Sequence, residues 1–214
     1  HGMMGTGLYA AAGETVNVTV PASLVNQNVR IQVGAHSDSL WNKDELDRHP
    51  KIHRNWVIDS TNMHVGNTFG GLIYITFPPD STFGMLNVTI ENAVKAPRYI
   101  HGVTTAQEWN TTQRLHPAPW AELEGEFFIL TVPSADIRNL DTVVELMNWW
   151  DTALQMEHNL SGYIPWTRIE RAVFDIQISA GWMHSGYPFM AHTVSAPDVT
   201  NLSHMSTQGD WGMF

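Results

Sequence analysis

The chain has no cysteine among its 214 residues. That absence excludes disulfides, thiolate zinc sites and cysteine nucleophiles, and it leaves the redox compartment undecided. Basic residues are few as well: 11 Lys and Arg stand against 21 Asp and Glu, giving a net charge of -10. No Lys/Arg cluster is present to displace the counterions of a phosphate backbone, so nucleic acid is not an expected partner. No apolar run comes near the roughly 20 residues that a membrane-spanning helix needs, and His1-Gly2-Met3-Met4 does not read as a signal peptide. The chain is therefore expected to be part of a larger or processed polypeptide. A G-x-S-x-G elbow, a phosphate-cradling Gly-rich loop and an H-E-x-x-H pair are all missing.

What is present is enough apolar residue, 43%, to bury a substantial core. Up to about Glu91 the pattern is that of strands. Val16, Val18 and Val20 alternate, as do Val29, Ile31 and Val33, and then Leu86, Val88 and Ile90. Leu72 to Phe77 is continuously apolar, which suits a strand buried on both faces, and Pro78-Pro79-Asp80 ends it. From Asn92 onward helices and strands mix. Thr105 and Glu108 have capping-box spacing for a helix from Ala106 to about Leu115. A strand is expected over Phe127 to Val132. Asp141 is placed to cap a helix whose Val143, Leu146, Met147, Trp150 and Leu154 share one face. Val173 to Ser179 alternates as a strand, and Gly181 and Gly186 bracket a turn carrying Trp182, Met183, His184 and Ser185. The fold class read from this is α+β, with residues 1–92 as a β-sandwich-like half and 93–214 as a mixed sheet-and-helix half.

Eleven histidines invite a metal reading that their spacing does not support. His49 and His53 are four apart with Pro50 between them, and His36, His64, His101 and His192 stand alone. Glu122, Glu124 and Glu126 alternate ahead of a strand and read as a solvated acidic face. Of the nine tryptophans, Trp149 and Trp150 belong to the expected helix and Trp120 to a corner. Trp41, Trp56, Trp109, Trp166 and Trp182 remain as candidates for stacking on sugar rings. Five N-x-S/T sequons, at Asn17, Asn87, Asn110, Asn159 and Asn201, point to glycosylation and to a secreted or cell-surface protein.

Several blocks occur in a recognisable order: Thr6-Gly7-Leu8-Tyr9, Gly34-Ala35-His36-Ser37-Asp38-Ser39-Leu40-Trp41, Phe69-Gly70-Gly71-Leu72, Ala118-Pro119-Trp120-Ala121-Glu122 and Ile129-Leu130-Thr131-Val132-Pro133-Ser134. They lead to Glu170 through Met190 and to Gln208-Gly209-Asp210-Trp211-Gly212-Met213-Phe214. Together they resemble the N-terminal part of the enhancin-like zinc metallopeptidases, a gluzincin-type family that includes mucin-degrading glycopeptidases. The resemblance implies that Zn²⁺ would be held by an H-E-x-x-H helix beyond Phe214, so the isolated chain is expected to lack peptidase activity. It also implies that Trp182, His184, Ser185 and Tyr187 lie beside the substrate, with a glycosylated protein or mucin-type glycan as partner, besides the rest of the chain's own polypeptide. The same Ile176 to His184 stretch resembles the TRP-channel-associated factors, which implies a non-catalytic regulatory protein instead. A glycan-binding module that lost its metal is the third reading.

Overall fold

Alternating Val and Ile residues generate the sandwich expected of the first half, and both of its sheets draw on one apolar interior. The computed structural model describes residues 2–162 and 168–207. The chain forms two compact units, one of His1–Ser37 with Lys51–Ala96 and one of Asp38–Pro50 with Pro97–Phe214. In the first unit the strands are β1 (Gly2–Ala10), β2 (Thr15–Thr19), β3 (Arg30–Val33), β4 (Arg54–Val57), β5 (Asn62–Gly66), β6 (Gly71–Phe77), β7 (Thr89–Glu91) and β8 (Val94–Lys95). Two antiparallel sheets result, ordered β4-β3-β6-β1-β8 and β5-β2-β7. Val16 and Val18 of one sheet, with Val20 just beyond it, and Ile31, Val33, Ile73 and Ile75 of the other belong to a single buried cluster.

The continuously apolar stretch is β6, buried from Gly71 to Thr76 as its composition requires. Its leading glycine is demanded by close packing: Gly71 has φ 151°, and a Cβ there would lie 2.5 Å from the Gly34 nitrogen. Asn67 organises the preceding turn, its carboxamide donating to the Ile52 and Gly70 carbonyls at 2.7 and 3.1 Å while accepting from the Phe69 N–H. The third expected strand is shorter than its alternation suggests, since pairing with β2 begins only at Thr89.

The second unit is built on a mixed sheet. Its strands are β9 (Arg98–Ile100), β10 (Trp120–Glu124), β11 (Phe128–Pro133), β12 (Glu170–Asp175), β13 (Met183–His184) and β14 (Phe189–His192), in the order β13-β14-β12-β11-β10-β9. The pairs β9/β10, β11/β12 and β12/β14 are parallel, and β10/β11 and β13/β14 antiparallel. The helices are α1 (Ala106–Thr111), α2 (Ser134–Ile137), α3 (Val143–Ser161), α4 (Ala196–Val199) and α5 (Leu202–Thr207). Thr105 caps α1, its hydroxyl accepting the Glu108 N–H at 3.1 Å, but the helix gives way after Thr111 to a tight 3-10 turn over Gln113–Leu115.

The α3 stripe packs on the sheet through Val143, Leu146, Met147 and Trp150, against Leu123, Phe128, Leu130 and Phe174. Its N-cap is Thr142 rather than Asp141, and no side chain bonds the first turn. Asp141 is drawn away by Arg114, 2.6 Å from its carboxylate. The opposite side of the strands buries polar groups beside Ile129 and Val173. Glu122, 2% exposed, pairs with Arg171, which also donates to Thr131 at 2.9 Å. Glu124 pairs with Arg98 at 2.7 Å, so two of the three carboxylates expected to be solvated are in ion pairs, and of the three only Glu126 is exposed.

Candidate functional site

The glycine-bracketed turn closes the sheet at its edge. Gly181 and Gly186 both take positive φ, 59° and 141°, which reverses the chain around the two-residue strand β13. β13 is the terminal strand of the sheet order, bound antiparallel to β14 with Met183 opposite Ala191 and His184 opposite Met190. The Trp182 carbonyl accepts the His192 N–H at 3.1 Å. In an antiparallel ladder the backbone groups of successive residues alternate sides. Trp182 and His184 therefore address β14, and the N–H and C=O of Met183 point to the outer edge.

Trp182 is 48% exposed. Its indole N–H donates to the Ser195 hydroxyl at 2.9 Å, and its ring stacks on His192 at 5.2 Å and 18°. Held on one face and by its edge, the ring is a fixed aromatic platform of the kind that stacks on sugars. Tyr187 lies beneath the Arg168 guanidinium, 4.1 Å from its ring centroid. Ser185 is exposed, and its carbonyl is engaged by His184. Behind the turn is a mostly apolar hollow of about 180 Å³, walled by Phe128, Trp150, Leu154 and Phe189 and bordered by Glu170 and Ser185. Burial raises the Glu170 carboxyl above its usual range, against the opposing pull of Arg168 and His158.

His184 is the most constrained of the four expected site residues. Its Nδ1 lies 3.0 Å from the Ser185 carbonyl, and its Nε2 lies 2.8 Å from Asp38 Oδ2 and 3.1 Å from Ser179 Oγ. A carbonyl and a carboxylate can only accept, so both ring nitrogens carry protons and the ring is an imidazolium. Burial pulls the His184 imidazole down, but its bonds to Asp38 and Ser185, with the Asp38 charge, outweigh it and leave the group raised above its usual value. Asp38 is displaced the other way: burial pushes it up, and hydrogen bonds from His184 and Ser179 more than compensate, leaving it lowered. The trio is no nucleophilic triad, since serine and aspartate address the same nitrogen and the other is spent on a carbonyl.

Asp38, Ser179 and Arg48 were not among the residues expected at this site. The one sequence signal for Asp38 was its place in the Gly34 to Trp41 block. Of the sugar-stacking candidates, Trp109 is wholly buried, with its N–H donating to the Leu140 carbonyl at 2.7 Å, because it fills the core beside Tyr99. Trp56 is half-buried under Arg54, and Trp41 is 69% exposed. Trp166, Asp210 and Trp211 lie outside the described residues. His53 faces the His36 carbonyl, and His49 lies edge-on to Trp41. Among the described residues no three His, Asp or Glu converge to hold a metal ion, so these residues do not supply the zinc site that the family resemblance implies. Of the sequon asparagines, Asn87, Asn159 and Asn201 are exposed, while Asn17 binds His64 at 2.7 Å and Asn110 is half-buried.

Residues 92–214 match the family model "Peptidase M60, enhancin and enhancin-like", and residues 1–91 match "N-terminal domain of M60-like peptidases". A TRPM8 channel-associated factor homolog of Xenopus laevis is 44% identical over 209 residues, 97% of this chain and 23% of that protein. Human TRPM8 channel-associated factor 1 is 37% identical over 210 residues, again 23% of its length. The chain thus spans about a quarter of the curated relatives it matches. Among solved structures, the catalytic module of the metalloprotease ZmpA from Clostridium perfringens superposes with a TM-score of 0.67 at 12% identity, covering 94% of this chain and 45% of that one. IMPa from Pseudomonas aeruginosa, in complex with an O-glycopeptide, gives 0.62 at 14% identity, covering 90% and 27%. At those identities the likeness is one of fold.

Proposed function

The chain belongs to the M60 peptidase family, enhancin and enhancin-like, and from that premise we propose that it forms the polypeptide-gripping half of an M60-like module in a channel-associated-factor type of protein. The observation that carries this is the outer edge of β13. There the Met183 backbone is turned outward beside a fixed Trp182 ring, so an extended segment of a partner can add to the sheet as a further strand. Main-chain bonds supply affinity in this mode. The ring and the hollow behind the turn select what the segment carries. The 37–44% identities to channel-associated factors favour a partner gripped for regulation, with the channel or its associated polypeptides as the partner class.

A second reading is favoured by the fold neighbours: hydrolysis of glycosylated, mucin-like protein, in a secreted or cell-surface protein carrying glycans at the exposed sequons. The residues described here would then orient the substrate. The chemistry would belong to a zinc site that they do not supply, and no hydrolytic step is derived from them. The two readings separate on one assay of the full-length protein with a serine/threonine-rich peptide, bare and O-glycosylated. Regulation by gripping is expected to give binding without cleavage and unoccupied asparagines. Cleavage that a chelator abolishes, with glycans on Asn87, Asn159 and Asn201 by mass spectrometry, would replace the first reading by the second. Failure of both peptides to bind would remove both readings.

A further inference from the structure

Side chains of Asp38, Arg48 and Gln177 join Asp38–Pro50 to the stretch leading into β13. Arg48 clasps the Asp175 carboxylate, Nε lying 3.0 and 2.9 Å from its two oxygens and Nη2 2.8 Å from Oδ2, with the side chains 6% and 3% exposed. Gln177 spans the middle, accepting the Asp47 N–H and donating to the Glu45 carbonyl, both at 2.8 Å. Asp38 closes the far end, receiving the Ser179 N–H at 2.6 Å and the His184 ring N–H at 2.8 Å. The segment is also tied to itself. Leu40 N–H donates to the Pro50 carbonyl at 3.0 Å, Arg48 Nη2 donates to the Asp38 carbonyl at 3.2 Å, and Leu40 is fully buried.

A surface loop without such ties samples many backbone states, and ordering it costs conformational entropy. Here the loop is closed at its base, and the Asp38 and Arg48 side chains with the Asp47 N–H and the Glu45 carbonyl all meet the stretch from Asp175 to His184. Two of the loop's groups, the side chains of Asp38 and Arg48, meet it with defined geometry, and the clasp of Asp175 is the bidentate arrangement that fixes orientation as well as distance. Asp38 touches the turn at two points, the Ser179 backbone before Gly181 and the His184 ring after it, so it spans the reversal that presents Trp182 and Met183.

We infer that Asp38–Pro50 is a strap that positions the recognition turn, and that Asp38 is the positioning residue that holds His184 and, through it, β13. The inference rests on the reading of that turn as the gripping edge. Among the described residues the charged group beside His184 is Asp38, with the Ser179 hydroxyl and the Ser185 carbonyl as neutral partners. The hold has a signed pH dependence. Because His184 is raised, its contribution is complete below the unfolded value of about 6.5 and is lost as pH rises through the raised folded value. Because Asp38 is lowered, its contribution is present above the unfolded value of about 3.9 and is lost only as pH falls through the lowered folded value.

The test is hydrogen exchange by mass spectrometry on the full-length protein, corrected for intrinsic exchange rates, with binding of an extended peptide measured alongside. Asp38→Ala is expected to speed exchange over residues 176–186 by roughly ten- to hundredfold, the size of a lost hydrogen bond to a charged group. Protection in the wild type is expected to fall as pH rises from 6 to 9, and in Asp38→Asn, which keeps an acceptor but no charge, to lose that pH dependence. Gln177→Ala, at a half-exposed position away from the core, is expected to loosen the same residues less. Unchanged exchange in both Asp38→Ala and Gln177→Ala, or a wild-type turn indifferent to pH, would overturn the strap. If the exchange pattern holds and no extended peptide binds, the strap stands and the gripping function falls.

Discussion

At the scale of single residues, Glu122 and Arg171 form a buried pair whose partners lie 49 positions apart. Strand alternation correctly put Glu122 and Glu124 on one side of β10, yet it carried no information about what covers that side. The pattern therefore predicts solvated carboxylates, whereas Glu122 is as buried as Asp175, each 2% exposed. Removing one partner from a buried pair leaves an uncompensated charge, so Glu122→Ala is expected to cost about 3–5 kcal/mol. Glu124→Ala, whose pair with Arg98 is about one-fifth exposed on both sides, is expected to cost under about 1 kcal/mol. Denaturant unfolding of the protein and its two variants checks this, and equal losses would refute it. His184 illustrates a different gap: its type and its turn were legible, but its charge state follows from Asp38, 146 positions away.

At the scale of elements, periodicity was the most readable signal and boundaries the least. The α3 stripe is as expected because apolar spacing of three and four can satisfy only a helix lying on a core. Its start differs from the sequence expectation because a capping aspartate and an aspartate held by a distant arginine look alike in sequence. In the same way, Val173–Ser179 alternates to its end, but pairing in β12 stops at Asp175, and the remaining residues bond to the Asp38–Pro50 strap instead. Trp150 is the heaviest element of the stripe, tilted against Phe128 at 5.0 Å and donating to the Val199 carbonyl at 3.2 Å. Trp150→Ala is expected to cost about 3–5 kcal/mol. Met156→Ala, on the exposed side of the same helix at 65% exposure, is expected to stay within about 0.5 kcal/mol. Thermal unfolding of the two variants decides whether the stripe carries the helix, since comparable shifts would deny it.

At the scale of the whole molecule, the family was legible because its signals are backbone requirements spread through the chain. Gly70-Gly71 serve a close strand approach, and Gly181 and Gly186 serve a reversal at the sheet edge. The strap was not legible, because its bonds join residues more than 120 positions apart and no local pattern records them. The central claim is that the outer edge of β13 grips an extended polypeptide through the Met183 backbone. The most direct measurement is a calorimetric titration of full-length wild type and Met183→Pro with the same serine/threonine-rich peptide. Proline removes the outward N–H while leaving the bonds of Trp182 and His184 to β14 in place. The account requires binding by the wild type and a loss of roughly tenfold or more in the variant, about 1.4 kcal/mol, beyond the loss seen in Met183→Ala, which removes the same core contact and keeps the N–H. Equal affinities for the two variants would contradict it.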